Sequence, residues 1–219
     1  MRVLSYSQSA HPTRENQDHI ATRRRGNVRL LALADGAGGQ AGGALAARLA
    51  VTTALDFLET ARDVFDSNAL RSAIAVADEA VEAHPDAGFA TLIVLVCDAK
   101  RVGGASVGDS MALLISPGGE EELTQSQRKH PPLGSGGCVP VAFETRMRAG
   151  DQLLAMSDGV FRFVGTEALA RVCRESDDFA LMPRLLALQT RPNGETFDDW
   201  SAIVVRWWVV ALVACQGVI

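Results

Sequence analysis

The sequence lacks clustered cysteines and histidines, internal repeats and low-complexity segments. Its four cysteines, Cys97, Cys138, Cys173 and Cys215, lie far apart and form no CxxC pair. This spacing favours free thiols in a reducing compartment, and the histidines supply no ligand cluster for zinc. An excess of basic residues is also missing. The net charge of −5 argues against nucleic acid as the main partner and suits a site built from carboxylates.

Targeting and membrane segments are absent from the pattern as well. The first residues contain no apolar run of the kind found in signal peptides, so we expect a cytoplasmic protein. The apolar tract at residues 207–219 has 13 residues, whereas a membrane span needs roughly 20. We expect a last core strand with a short apolar tail. Membrane contact by this tail is not expected, and a membrane-surface or subunit contact is the alternative.

What the sequence does contain is an ordinary globular balance, with 47% hydrophobic and 21% charged residues. No change in composition marks a second domain, so we predict one domain over residues 1–219. Short turns between the predicted strands imply antiparallel pairing, and helices between blocks of strands indicate an α+β fold. The pattern predicts strands at 28–34, 89–97, 101–107, 111–115, 152–156 and 201–205, and helices at 42–60, 68–83, 166–174 and 179–188.

Aspartates recur where these predicted strands begin or end. Asp35, Asp109 and Asp158 follow strands, Asp198 precedes the last strand, and Asp18 lies near the N-terminus. Several carboxylates that meet in one place repel each other unless a cation joins them. Oxygen ligands favour Mg²⁺ or Mn²⁺ over zinc or copper. Two such ions can share a water molecule and activate it for attack on phosphorus.

In order and spacing, these motifs resemble those of the PP2C (PPM) family of metal-dependent protein phosphatases, especially its compact bacterial members. The resemblance extends from about residue 5 to residue 206. The segments that carry it are Asn16-Gln17-Asp18, Asp35-Gly36-Ala37-Gly38-Gly39, Gly88-Phe89-Ala90-Thr91-Leu92, Gly104-Ala105-Ser106-Val107-Gly108-Asp109-Ser110, Gly150-Asp151-Gln152-Leu153-Leu154-Ala155-Met156-Ser157-Asp158-Gly159-Val160 and Asp198-Asp199-Trp200-Ser201-Ala202-Ile203-Val204-Val205.

The resemblance implies a four-layer α-β-β-α sandwich of two antiparallel sheets flanked by helices, with metal ions in a cleft at one sheet edge. It also implies hydrolysis of phosphoserine or phosphothreonine by direct attack of metal-activated water. The substrate would be a phosphorylated protein, with a serine/threonine kinase system as the expected source. Two Mn²⁺ or Mg²⁺ ions would be the cofactors, with a weaker position for a third.

Residue roles follow from the resemblance in the same way. Asp35 would bridge two metal ions, and the carbonyl of Gly36 would bind one of them. Asp158 and Asp198 would hold the other ion. Asp109, together with Asp158, would match the weaker third position. Asp18 would orient the attacking water.

The sequence departs from the family pattern at the residue that grips phosphate. The family's arginine lies five residues before the motif aspartate, where this sequence has Thr13. Arg14, four residues before Asp18, is the candidate for this catalytic role, and Arg23–Arg25 are the alternative. An arginine suits phosphate because its planar head binds two oxygens at once.

Other departures affect the metal ligands and the flap. Gln17 stands where glutamate is usual, which removes one charge, and Asp199 replaces an asparagine. The loop at 120–140 corresponds to a reduced flap beside the site, which should change substrate choice more than chemistry. His130 in this loop is interpreted as a loop histidine rather than an acid catalyst.

Two other functions are compatible with parts of the sequence. Residues 36–41 fit a loose G-x-G-x-x-A dinucleotide-binding loop, with Asp56 about 20 residues further on. Against it, Asp35 would direct negative charge at a pyrophosphate, and Asp56 lies inside a predicted helix. A catalytically weak or inactive member of the phosphatase fold, acting as a binding or regulatory module, is the second alternative.

Overall fold

The apolar runs of the sequence form strands that pair with antiparallel neighbours. The structure, a computed structural model, describes residues 1–37 and 42–207. The strands are β1 (Arg2–Gln8), β2 (Asp18–Arg25), β3 (Val28–Asp35), β4 (Leu92–Cys97), β5 (Arg101–Val107), β6 (Met111–Ser116), β7 (Gly119–Glu122), β8 (Val141–Arg146), β9 (Gln152–Met156) and β10 (Trp200–Arg206). The helices are α1 (Gly43–Thr60), α2 (Ser67–Glu82), α3 (Asp158–Phe161), α4 (Thr166–Glu175) and α5 (Leu181–Ala187).

These elements form four layers, in which two sheets pack against each other and helices cover the two outer faces. Sheet I has the strand order β1-β10-β9-β6-β7, and sheet II has the order β2-β3-β4-β5-β8. One apolar cluster fills the space between the sheets, a second lies between sheet II and helices α1 and α2, and a third lies between sheet I and helices α3 to α5. The predicted α+β sandwich with helices on both outer faces is therefore confirmed.

The central strands are buried on both faces, which explains why they read as continuous apolar runs. In β3, Leu31 and Leu33 face the other sheet, whereas Leu30, Ala32 and Ala34 face the helices. Each strand thus contributes to two cores at once. On the helix side, α1 packs closely because its buried face is mostly alanine, at Ala46, Ala47, Ala50 and Ala54.

Every strand and helix predicted above is present, and most bounds agree within two residues. The strand expected from residue 89 begins later, at Leu92, because Ala90 makes isolated bridges to Gly36 and Leu133 instead of regular pairs. Helix α5 is also shorter than expected. The interpretation of 120–140 as loop throughout is wrong at its start, since Glu120–Glu122 belong to β7.

The strands that sequence patterns missed are β1, β2, β7 and β8, and all four are edge strands. An edge strand has one paired side and a partly solvated face, so it needs no long apolar run. Trp207 after β10 is buried, and its indole nitrogen donates to the carbonyl of Asp98 at 2.8 Å. The rest of the predicted tail, 208–219 with Cys215, lies outside the described residues.

The topology is incompatible with the dinucleotide-binding alternative. That site requires parallel strands joined by a crossover helix, whereas β3 pairs antiparallel with both of its neighbours. Asp56 lies on α1, is exposed, and forms an ion pair with Arg23 at 2.6 Å. Residues 38–41 of the proposed loop lie outside the described part. No helix in the described ranges is both long and apolar enough to cross a membrane.

A buried carboxylate anchors the connection between β7 and β8, residues 123–140, to helix α2. Asp78 on α2 is 4% exposed. Its two oxygens accept hydrogen bonds from the backbone amides of Gly134, Gly136 and Cys138. A connection without regular structure is thereby tied to a rigid helix at three points.

Replacement of Asp78 tests this anchor. Because Asp78→Ala leaves buried amides without an acceptor, we expect a loss of about 3 kcal/mol in the free energy of unfolding. Asp78→Asn keeps one oxygen and should lose about half as much. Urea denaturation measures both, with Glu79→Ala on the exposed side of α2 as the matched control. Equal stability of Asp78→Ala and the control would contradict the anchoring role.

Candidate active site

Antiparallel pairing explains why the five predicted aspartates meet. The end of one strand and the start of its antiparallel neighbour lie at the same edge of a sheet. Asp35 ends β3 and pairs in register with Asp18 at the start of β2. Asp158 follows the end of β9, and Asp198 precedes its neighbour β10. Asp109 follows β5, which places it at this edge as well.

Asp18 and Asp35 form the buried centre of the site. Asp18 is 6% exposed, and the hydroxyl of Ser157 donates to its Oδ2 at 2.6 Å. The backbone of Asp35 is held on both sides by Thr91, whose hydroxyl accepts from the amide of Asp35 and whose amide donates to its carbonyl. Hydrogen bonds thus fix the carboxylate of Asp18 and the backbone of Asp35, in addition to the pairing of their strands.

Two glycines permit close approaches that the site requires. A Cβ at Gly36 would collide with the backbone of Gly43, so glycine lets the chain after Asp35 pass directly beside the start of α1. A Cβ at Gly159 would collide with the carbonyl oxygen of Asp199. The second contact brings the start of α3, and with it Asp158, against the segment that carries Asp198.

Four of the five aspartates line a cleft of about 360 Å³, namely Asp35, Asp109, Asp158 and Asp198. The buried Asp18 is not among its lining residues, whereas Ala37 and Gly108 are. The remaining lining residues are Phe89, Ala90, Thr91, Lys129, His130, Pro132 and Arg162. The cleft therefore combines a carboxylate floor with two basic side chains and one aromatic ring.

The two basic side chains pair with the carboxylates. Nη1 of Arg162 lies 3.1 Å from Oδ2 of Asp198 and 3.6 Å from Oδ2 of Asp158. Lys129 forms an ion pair with Asp109. All of these partners are partly exposed, so solvent screens their interaction.

The aspartates of the cluster repel each other when all are ionised, so the cluster favours the binding of protons or other cations. Burial, together with the negative charges of Asp18, Asp158, Asp198 and Asp109, raises the pKa of Asp35 to about 9. Burial also raises the pKa of Asp18, although its hydrogen bond from Ser157 works in the opposite direction. The pKa of Asp158 is raised by burial and by Asp198, and Arg162 opposes this shift.

The donor set fits divalent cations. Carboxylate oxygens are the ligands that Mg²⁺ and Mn²⁺ prefer, and Oδ1 of Asp18 is buried with no hydrogen-bond partner among the described residues. No three His, Cys, Asp or Glu side chains in the described ranges are arranged as a ready-made metal-binding group. The chemistry of the ligands therefore supports a metal site, and its occupation requires the ligand side chains and Arg162 to rearrange.

Sequence reasoning missed the role of Asp199. Its carboxylate accepts hydrogen bonds from the amides of Ala10 and Gln17, at 2.7 and 2.6 Å. It thereby ties the loop before β2 to the start of β10 and positions both Asp18 and Asp198. Each amide donates to a different oxygen of the carboxylate, whereas an asparagine in the same place would turn its NH₂ donor toward one of the two amides. The only sequence signal was the departure from the family's asparagine.

The candidate phosphate-binding arginines lie elsewhere. Arg14 is exposed and is not among the residues that line the cleft. Arg23 and Arg25 lie at the far end of β2, about 17 Å or more along the strand from Asp18. There Arg23 pairs with Asp56, and Arg25 donates to the carbonyl of Ala61 at the end of α1.

Comparison with solved structures supports the fold. Serine/threonine phosphatase Stp1 from Staphylococcus aureus superposes with a TM-score of 0.79 at 20% identity, covering 92% of this chain and 93% of that one. Phosphatase PstP/Ppp from Mycobacterium tuberculosis gives 0.78 at 24% identity, covering 95% and 99%. PppA, described as a key regulatory component of the T6SS in Pseudomonas aeruginosa, gives 0.75 at 23% identity, covering 94% and 96%.

Comparison with curated proteins gave no match. The family model for protein phosphatase 2C matches residues 9–134, which is more than half of the chain. The matched region contains Asp18, Asp35 and Asp109, and the remaining two aspartates lie beyond it. The resemblance inferred from the motifs is thus confirmed, and the chain belongs to the protein phosphatase 2C family.

Proposed function

We propose that the chain hydrolyses phosphoserine and phosphothreonine in proteins, with Mn²⁺ or Mg²⁺ as cofactor. The observation that carries this proposal is the convergence of five aspartates, which stand at the ends of five different strands, at one end of two sheets. A scaffold has no need for such a cluster, because mutual repulsion makes it costly to fold. The structure of a PstP catalytic domain, 24% identical, was solved in complex with two manganese ions, which supports a two-ion site here.

Asp35, the carbonyl of Gly36, Asp158 and Asp198 are the proposed ligands of the two ions, with Asp109 as a ligand of a third. When bound, the ions would stabilise charge on the phosphoryl oxygens and lower the pKa of water. Asp18 has a different task. Its hydrogen bond from Ser157 fixes one oxygen, and its second oxygen is left to accept a hydrogen bond and orient a water molecule.

The proposed substrate class rests on membership of the protein phosphatase 2C family. The cleft is compatible with it, because several of its lining side chains are partly exposed. The proposed partners are phosphoproteins made by a serine/threonine kinase system. The β7–β8 connection contributes Lys129, His130 and Pro132 to the wall, so this short segment would take part in substrate choice.

One observation favours a second candidate, a binding or regulatory module without activity. Arg162 and Lys129 already pair with three of the proposed metal ligands. If these ion pairs outcompete divalent cations, the fold persists without catalysis. Metal binding by the intact chain separates the two candidates.

The first test is hydrolysis of p-nitrophenyl phosphate and of a phosphothreonine peptide. We expect activity with Mn²⁺, none with EDTA, and a loss of at least about a hundredfold in kcat/KM for Asp35→Asn, since one carboxylate serves both ions. Asp63→Asn, at an exposed position outside the cleft, is the control. Activity that survives both EDTA and Asp35→Asn would refute the proposal. A folded chain that neither binds Mn²⁺ nor hydrolyses either substrate would favour the regulatory module.

A second test uses the pH dependence of stability in EDTA. An unfolded aspartate loses its proton near pH 4, whereas the pKa of Asp35 in the fold is raised to about 9. The native state therefore binds more protons than the unfolded state between these values, and stability should fall as pH rises from about 4 to about 9. Asp35→Asn removes the contribution of Asp35 to this dependence, whereas Asp18 and Asp158, whose pKa values are also raised, still contribute to it.

We expect Asp35→Asn to melt at least about 4 °C higher than wild type at pH 8, and the difference to shrink at pH 5. Thermal melts followed by circular dichroism measure both, again with Asp63→Asn as control. If the melting temperatures of wild type and Asp35→Asn instead change in parallel across this pH range, the pKa of Asp35 in the fold is not raised.

A further inference from the structure

The cleft contains an arginine that the sequence motifs did not single out. Among the described residues that line it, Arg162 and Lys129 are the basic side chains. Position 13, where the family has its phosphate-binding arginine, holds a threonine, and its hydroxyl is hydrogen-bonded to His11 at 2.9 Å. Arg14 lies outside the cleft lining. A phosphoryl dianion entering the cleft would therefore meet Arg162 and Lys129 first.

Arg162 is held at its place by the backbone of α3. Its amide donates to the carbonyl of Asp158 at 2.9 Å, which closes the short helix that follows β9. Its position relative to Asp158 is thus set by main-chain geometry, while its side chain remains 54% exposed. The guanidinium is tethered at the rim of the carboxylate cluster and is still able to turn.

The guanidinium has an unused binding edge. Both of its ion pairs, with Asp158 and with Asp198, are made by the same terminal nitrogen, Nη1. Nε and Nη2 have no partner in the part of the chain that the structure describes. These two nitrogens form the fork that binds two oxygens of a phosphoryl group at once.

We propose that Arg162 binds the phosphoryl group of the substrate and replaces the arginine that the sequence lacks at position 13. Lys129, which lines the same cleft and pairs with Asp109, supports it as a point charge. This inference rests on the proposed function, since it concerns the same site. It assigns phosphate binding to the segment after β9 instead of the loop before β2.

The ion pairs of Arg162 are compatible with this role. Asp158 and Asp198 are the proposed ligands of one ion, and ions that take up their charge weaken the attraction for Arg162. Because the pair is exposed and screened, little stability is lost when the guanidinium turns away. Arg162 would thus stay beside the cluster before loading and face the substrate afterwards.

This arrangement predicts opposite effects of one substitution on two ligands. Arg162→Ala removes a cation that competes for Asp158 and Asp198, so Mn²⁺ should bind at least as tightly as in wild type. The same variant removes a two-point contact to phosphate. Inorganic phosphate should therefore bind about tenfold more weakly or worse to the Mn²⁺-loaded chain. A merely structural role of Arg162 would weaken both ligands together.

Isothermal titration calorimetry on the full chain measures both affinities, first for Mn²⁺ and then for inorganic phosphate in saturating Mn²⁺. The variants are Arg162→Ala, Arg162→Lys and Arg14→Ala, with Arg171→Ala on the exposed side of α4 as the matched control. Arg162→Lys keeps the charge without the fork and should fall between wild type and Arg162→Ala. It also serves if Arg162→Ala does not fold, because a loss of phosphate affinity in the lysine variant supports the same contact.

The result that overturns the inference is a large loss of phosphate affinity in Arg14→Ala with none in the Arg162 variants. Unchanged phosphate affinity in all variants, or no phosphate binding by the wild type with Mn²⁺, overturns it as well. Failure of the proposed function gives a different result. In that case the chain binds Mn²⁺, and binds phosphate through Arg162, but hydrolyses no phosphopeptide. In an active enzyme, KM for the phosphothreonine peptide should rise about tenfold in Arg162→Ala.

Discussion

The repulsion among carboxylates gathered at one end of two sheets is the constraint on which the rest of the structure depends. Burial and four neighbouring negative charges hold the pKa of Asp35 far above its usual range. A fold tolerates such a cluster only if its framework is rigid enough to resist local opening. Here the framework consists of central strands buried on both faces and packed between two layers of helices. The stability of the apolar cores thus offsets the repulsion at the polar site, which opposes folding.

The antiparallel order of the strands determines where this rigid framework places the carboxylates. Asp18 and Asp35 are opposite each other in one hairpin, and Ser157 connects Asp18 of sheet II to the end of β9 in sheet I. Asp199 adds a second connection, from the start of β10 to the amide of Gln17. The two sheets are therefore joined by hydrogen bonds at the site itself, and not only by the apolar core between them.

The central part of this fold was predictable from the sequence, and its periphery was not. Strands β3, β4, β9 and β10 are apolar over most of their length because both faces are buried. The edge strands β1, β7 and β8 carry serine, glutamate and arginine, which leave no such run. The aspartates could be predicted to meet because they stand at strand ends. Their assignment as metal ligands stays a prediction. Asp78, Asp199 and Arg162 could not be found in the same way, since each acts on a segment distant in sequence.

The departures from the family pattern are explained by where the charged groups lie in space, not by where they lie in the sequence. The loop before β2 has a threonine at position 13, and the carboxylate of Asp199 binds the backbone of that loop. A cation placed close to Asp199 on this loop would compete with those amides for its oxygens. The positive charge lies instead directly after α3, where Gly159 packs against the backbone of Asp199 and Arg162 pairs with Asp158 and Asp198. Among the described residues Arg162 forms no ion pair with Asp199. The carboxylate that anchors the loop and the cation proposed to bind phosphate therefore do not compete, and both can act within one small site.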